Sequence, residues 1–103
     1  MTGPILTVER GVITEMVRLA AFEVPGVARV GRGGPRWRAL GGPSVRARLH
    51  RGRVEVRLWV VARPGQPLVP LAAQVRGAVA ATVERLLGLE LGGVTVLVDG
   101  VGG

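Results

Sequence analysis

Side chains able to do covalent or acid–base chemistry are scarce in this chain of 103 residues, which has one His, one Ser, one Asp and no Cys, Lys, Tyr or Asn. A nucleophilic triad would have to combine Ser44, His50 and Asp99. Ser44 and His50 fall in one segment of alternating apolar and polar residues, which reads as a strand. Extended, it holds them roughly 20 Å apart at ~3.3 Å per residue. Side chains at that distance cannot pass a proton, so triad geometry fails. The lack of Cys removes thiol chemistry, disulfides and Cys-ligated metals. One His with scattered carboxylates does not make a metal site. Glu9, Glu15 and Glu23 lie on or just after a first helical pattern, and Glu84 and Glu90 on or beyond a second, so most read as solvated. The expectation is a protein that is not an enzyme, with no cofactor, no metal and no small-molecule substrate.

The remaining chemistry is carried by arginine. Fourteen Arg against seven acids give a formal net charge of +7. Arg without Lys, beside abundant Gly, Ala, Val, Leu and Pro, is what the codon bias of a GC-rich genome writes, so the count alone does not signal nucleic acid. Placement says more. Residues 29–57 hold nine Arg and one acid, Glu55, or +8; the rest holds five Arg and six acids, or −1. Gly31-Arg32-Gly33-Gly34 matches the G-x-x-G clamp of some RNA-binding loops. It follows a short strand and enters a Pro-rich segment instead of joining two helices, and reads as a plain loop. No Walker lysine exists without Lys, and no dinucleotide fingerprint opens a helix.

The elements that position these arginines follow from periodicity. Val8–Phe22 reads as a helix with Thr7 as its N-cap and Val12, Ile13, Met16, Leu19 and Ala20 recurring at helical spacing. Glu23-Val24-Pro25-Gly26 ends it. Val27–Val30 is a short strand, and a Gly/Pro/Arg-rich loop at about 31–43 follows, with Trp37 expected to fold down as a plug. The strongest signal comes next. Val45, Ala47 and Leu49 alternate with Arg46, Arg48 and His50, and Val54, Val56, Leu58 and Val60 alternate with Glu55, Arg57 and Trp59. With Arg51-Gly52 as the turn, the inward pairs 49/54, 47/56 and 45/58 are all apolar, and the outward pairs are 48/55, 46/57 and 44/59. A slip of one residue would break every inward pair.

Leu68–Leu87 forms the second helix, with Leu68, Leu71, Ala72, Val75, Val79, Val83 and Leu86 as its buried stripe, Pro70 in its first turn and Gly88 as C-cap. Its row of Ala73, Gly77 and Ala81 reads as helix propensity and as room for close approach. A last strand sets Val94, Val96 and Val98 on one face and Thr95, Leu97 and Asp99 on the other. The order α-β-β-β-α-β predicts an α+β fold over residues 1–103 as one domain. It is a small two-layer sandwich with both helices on one face of a mainly antiparallel sheet. The face left open carries Arg46, Arg48, Arg57 and Trp59, the candidate interaction surface, since Arg and Trp are enriched at binding hot spots. His50 is expected to be exposed at the turn.

Three stretches resemble the alkaline shock proteins of bacteria, also called envelope stress response proteins. They are Val17-Arg18-Leu19-Ala20-Ala21-Phe22-Glu23-Val24-Pro25-Gly26-Val27, then Arg53-Val54-Glu55-Val56-Arg57-Leu58-Trp59-Val60-Val61, and last Leu86–Val98 with its Gly88-Leu89 and Val94-Thr95-Val96-Leu97-Val98 pieces. Order and spacing match from about Val8 to Val98, although the Tyr-Gly common after the long strand is Arg63-Pro64-Gly65 here. The resemblance implies a non-enzymatic stress-linked module that binds a protein partner, membrane-anchored in some members, at the cytoplasmic face of the membrane, with a homo-oligomer as a further expectation. It supplies no catalytic residues. The longest charge-free stretch, Pro64–Val75, is twelve residues, too short to span a bilayer, and Met1-Thr2-Gly3-Pro4 has no signal-like character, so a cytoplasmic protein is expected. The alternative reading is a small basic RNA- or DNA-binding module that uses the same hairpin face and loop.

Overall fold

The computed structural model describes residues 9–33 and 43–102. Helix α1 spans Arg10–Phe22 and buries Ile13, Val17 and Ala21, which recur every four residues. Its N-cap is Glu9 in an extended conformation without a side-chain cap bond, so the helix starts two residues later than expected. Thr7 lies outside the described residues. At the other end Val27 N–H bonds to Val24 C=O at 2.9 Å, closing a turn around Pro25-Gly26. This turn is pinned from both sides. Arg63 N–H donates to Gly26 C=O at 2.9 Å and Arg63 Nε donates to Pro25 C=O at 3.1 Å. A side chain on Gly26 would meet Gln66 Oε1 and Leu71 Cδ1, each at 2.7 Å. A larger residue there would have to push aside the ends of both side chains, so this close approach favours glycine in the Glu-Val-Pro-Gly-Val stretch.

Strand β1 is Val27–Val30, β2 is Val45–His50, β3 is Arg53–Ala62 and β4 is Leu91–Val101. The hairpin register is the expected one: Val45 faces Leu58, Ala47 faces Val56 and Leu49 faces Val54. The turn between them places Arg51 at φ 54° and Gly52 at φ 77°, the doubly left-handed geometry that suits the twist of a two-residue hairpin. Trp59 N–H continues the ladder to Ser44 C=O at 2.9 Å. Beyond it β1 takes over the same edge, with Val30 opposite Val60 and Val27 opposite Ala62. The other edge of β3 pairs with β4, and this pairing is parallel. Two of the three strand pairings are thus antiparallel, and β3–helix–β4 is a crossover unit. A connection of that length through a helix brings the next strand back in the same direction.

Helix α2 spans Leu68–Ala81 and buries Leu71, Val75 and Val79. A π-helical turn, Thr82–Leu86, extends it, with Leu87 N–H bonded to Thr82 C=O at 3.0 Å. The extra residue in that turn shifts the phase of the stripe. Leu86, expected inside, is 65% exposed, and Leu87 packs against the core in its place. Gly88, at φ 66°, ends the turn as expected. Leu68 is also outside, at the open first turn, and Val12 and Leu19 on α1 are exposed as well. Leu49 has the inward register but is exposed, because it lies near the end of the edge strand β2, whereas its partner Val54 on the central strand is buried.

Both helices cover one face of the sheet, and α1, α2 and the inward residues of β3 share a single apolar cluster. Val54, Val56, Leu58, Val60 and Ala62 are all buried. Leu58→Ala should cost about 2–5 kcal/mol in urea unfolding, since it opens a cavity at the centre of the sheet. Leu49→Ala, with the same chemistry at the exposed tip, should change stability by less than about 0.5 kcal/mol.

Candidate interaction surface

The alternation that buries the even-numbered residues of β3 turns its odd-numbered ones outward. Arg57 on β3 sits between Arg46 on β2 and Thr95 on β4, and Trp59 sits beside Leu97. Arg46, Arg48 and Arg57 are exposed and Trp59 is half-buried. The structure therefore brings all four sequence-selected residues onto one face. Arg48 Nε donates to Glu55 Oε1 at 3.0 Å. Arg46 and Arg57 stand directly opposite each other, and neither has a carboxylate partner among the described residues. Like charges so placed repel, which costs stability.

An open concavity of about 880 Å³ runs along this face and around the β2 edge to the start of α1. Among the described residues that line it, Arg10, Arg46, Arg48 and Arg57 are opposed by Glu55 alone. Four guanidinium groups around one carboxylate make a surface suited to anions, because each guanidinium can grip a carboxylate or phosphate with two parallel hydrogen bonds.

Sequence reasoning missed the strap over Trp59. Gly31 N–H donates to Trp59 C=O at 2.8 Å, one step on from the Val30–Val60 pair, and the chain then crosses the open face. Arg32 then lies on the indole with Cζ 4.1 Å from the ring centroid, while Arg57 approaches the same ring at 6.0 Å. The Arg32 Nε is buried without a hydrogen-bond partner. Gly33 N–H donates to Asp99 Oδ2 at 3.0 Å, fastening the strap to β4. A signal for this bond was present: Asp99 is the sole Asp of the chain and projects from the outward row of β4. Trp37, expected to act as a plug, lies outside the described residues, as does most of the loop at 31–43.

The residues tested for catalysis are dispersed. Ser44 and His50 flank the two ends of β2, His50 is exposed beside the hairpin turn, and the Asp99 carboxylate is bonded to Gly33. Among the described residues no three His, Cys, Asp or Glu side chains gather as a metal site would need. Among them, too, no helix is long and apolar enough to cross a membrane. The Glu15–Arg18 pair on α1 lies away from the sheet. Its hydrogen bond lowers the Glu15 pKa and raises that of Arg18, on an exposed helix face.

The strap can be opened without touching the core. A side chain at Gly33 would run into the Asp99 carbonyl. In a Trp37→Phe background, Gly33→Ala should make Trp59 fluorescence more accessible to acrylamide quenching while the unfolding midpoint changes little. Unchanged quenching would mean that the strap does not shield the ring.

Comparison with known proteins agrees with the fold and identifies a family. No curated protein sequence matches the chain. Among solved structures, the copper form of the MamM CTD superposes with a TM-score of 0.64 at 17% identity, covering 87% of this chain and 84% of that one. The manganese form of a MamM CTD variant gives 0.65 at 18% identity, covering 89% and 99%. A cadmium form of another variant gives 0.65 at 17%, covering 89% and 98%. At such identity the likeness establishes shared architecture. The sequence itself matches the family of alkaline shock protein 23, described as having a cell envelope-related function, over residues 3–102. The chain belongs to this alkaline shock protein family, whose members its Glu-Val-Pro-Gly-Val turn, long central strand and terminal valine strand resemble.

Proposed function

We propose that this protein is a non-catalytic interaction module that captures an acidic segment of a protein partner on its open sheet face, at the cytoplasmic side of the cell envelope. One observation carries the reading: Arg46 and Arg57 face each other without a carboxylate, beside a tryptophan flanked by two guanidinium groups. Charge that repels itself in the free protein is relieved when a partner supplies the missing acids. Trp59, half-buried under Arg32, holds that guanidinium at the centre of the patch, where hot spots concentrate. The cell envelope-related description of the family supports the location.

The reading separates binding from folding. Arg46→Glu replaces a repulsive cross-strand pair with an attractive one and should raise stability by about 0.2–1 kcal/mol. The same change should weaken capture of an acidic peptide, measured by fluorescence anisotropy with a labelled Glu-rich probe. Arg57→Ala with Trp59→Ala should abolish that capture while the chain stays folded by circular dichroism. Single-stranded RNA and vesicles of anionic lipid serve as competing probes in the same assay. Tighter binding of RNA, with a steep log–log salt slope, would favour the nucleic-acid reading instead. Peptide binding that survives the double substitution would remove this face as the interface.

A further inference from the structure

The sheet ends in two edges of different character. Strand β2 is six residues long and carries Arg46, Arg48 and His50. Short, charged edges of this kind resist pairing with another strand. Strand β4 has none of these protections. It runs eleven residues, Leu91–Val101, with no Lys, Arg or Pro, and Asp99 is its one charge. Among the described residues only β3 pairs with it.

The ladder fixes which groups are free. Trp59 directs its N–H and C=O to the β2/β1 edge, so the even-numbered residues of β3 bond to β4. In a parallel ladder Leu58, opposite Val96, bonds to Thr95 and Leu97. Val94, Val96 and Val98 therefore point their backbone groups outward, away from β3. Their side chains turn toward the core but are only half-buried. Among the described residues one group reaches this edge: Arg76 Nε on α2 donates to Val94 C=O at 3.4 Å, a long bond from an exposed side chain.

We propose that the β4 edge is a self-association site at which a second copy adds its own β4, antiparallel, about a two-fold axis through Val96. In that register Val96 faces Val96 of the other copy, Val94 faces Val98 and Thr95 faces Leu97. Asp99 falls opposite Gly93, so no like charges meet. The pair completes the half-covered valine row and uses every outward backbone group from Val94 to Val98. Charge selects the same edge. With +7 on each chain, two copies meet most easily along a strand that itself carries no arginine, and Arg76 is the one cation that reaches it among the described residues. Pairing at β4 sets the two β3 strands, and with them Arg57 of each copy, about 14 Å apart at ~4.8 Å per strand. That exceeds the Debye length of about 8 Å at physiological salt. Arg76 competes for Val94 C=O and acts as a weak guard on the edge.

Sedimentation velocity of the full chain over a concentration series, joined to residue-resolved amide exchange, tests the site. The expected result is a monomer–dimer equilibrium in which the Val94, Val96 and Val98 amides become protected as dimer forms. Val96→Pro removes one outward donor that β3 does not use, and should raise the dissociation constant by about tenfold or more. Thr95→Lys with Leu97→Lys sets cations opposite each other on the solvent face and should abolish the dimer without unfolding the chain. Arg76→Ala should tighten it. A chain that stays monomeric throughout overturns the proposal. So does a dimer that survives the paired Lys substitutions, or one whose three valine amides exchange as in the monomer. Loss of acidic-peptide binding has no bearing on these outcomes, so the two surfaces fail separately.

Discussion

Strand β3 is hydrogen-bonded along both edges, to β2 and β1 on one side and to β4 on the other, and its strict alternation of residues has two consequences at once. Its inward row, Val54, Val56, Leu58, Val60 and Ala62, is buried beneath both helices. Full burial of each larger side chain in such a row contributes about 1.5–3 kcal/mol. The outward row then has no freedom. Glu55, Arg57 and Trp59 must face the other way, whatever their charges prefer. The Arg46–Arg57 opposition costs at most about 1 kcal/mol, so the core row wins by a wide margin. A patch of unpaired arginine is held in place by apolar packing on the far side of the sheet.

That division of labour was legible in the hairpin because period-two alternation leaves only one register in which every inward pair is apolar. The open face and its four residues could be placed for the same reason. Other features were hidden where a local pattern meets a global boundary. Leu49 obeys the alternation but lies near the end of an edge strand, beside a buried Val54. Leu86 obeys the helical period until the π turn at Thr82–Leu86 adds a residue and rotates it outward. Parallel pairing of β4 is written in the length of the α2 crossover and not in the strand's own composition. The strap depends on a contact between Gly33 and Asp99, 66 residues apart, which no periodic signal encodes.

The Pro25-Gly26 turn shows what the family stretch accomplishes physically. It sets Gly26 against Gln66 and Leu71 and ties Pro25 and Gly26, just after α1, to Arg63, just past the end of β3. Helix α1, the central strand and α2 meet there, so the helical layer is locked to the strand whose outer row carries the arginines. The basic surface and the apolar β4 edge then occupy different borders of one sheet. The proposed partner surface and the proposed self-association edge adjoin at Thr95 and Leu97, which lie beside Arg57 and Trp59.

The central claim is that the outward row of β3, with its neighbours on β2 and β4, is where a partner is held. Residue-resolved NMR titration with a Glu-rich peptide tests it most directly. Shifts are expected at Arg46, Arg48, Arg57, Thr95, the Trp59 indole N–H and the first turn of α1 at Arg10, with the rest of α1 and all of α2 silent. Shifts confined to the helical layer, with those sheet residues unmoved, would contradict it.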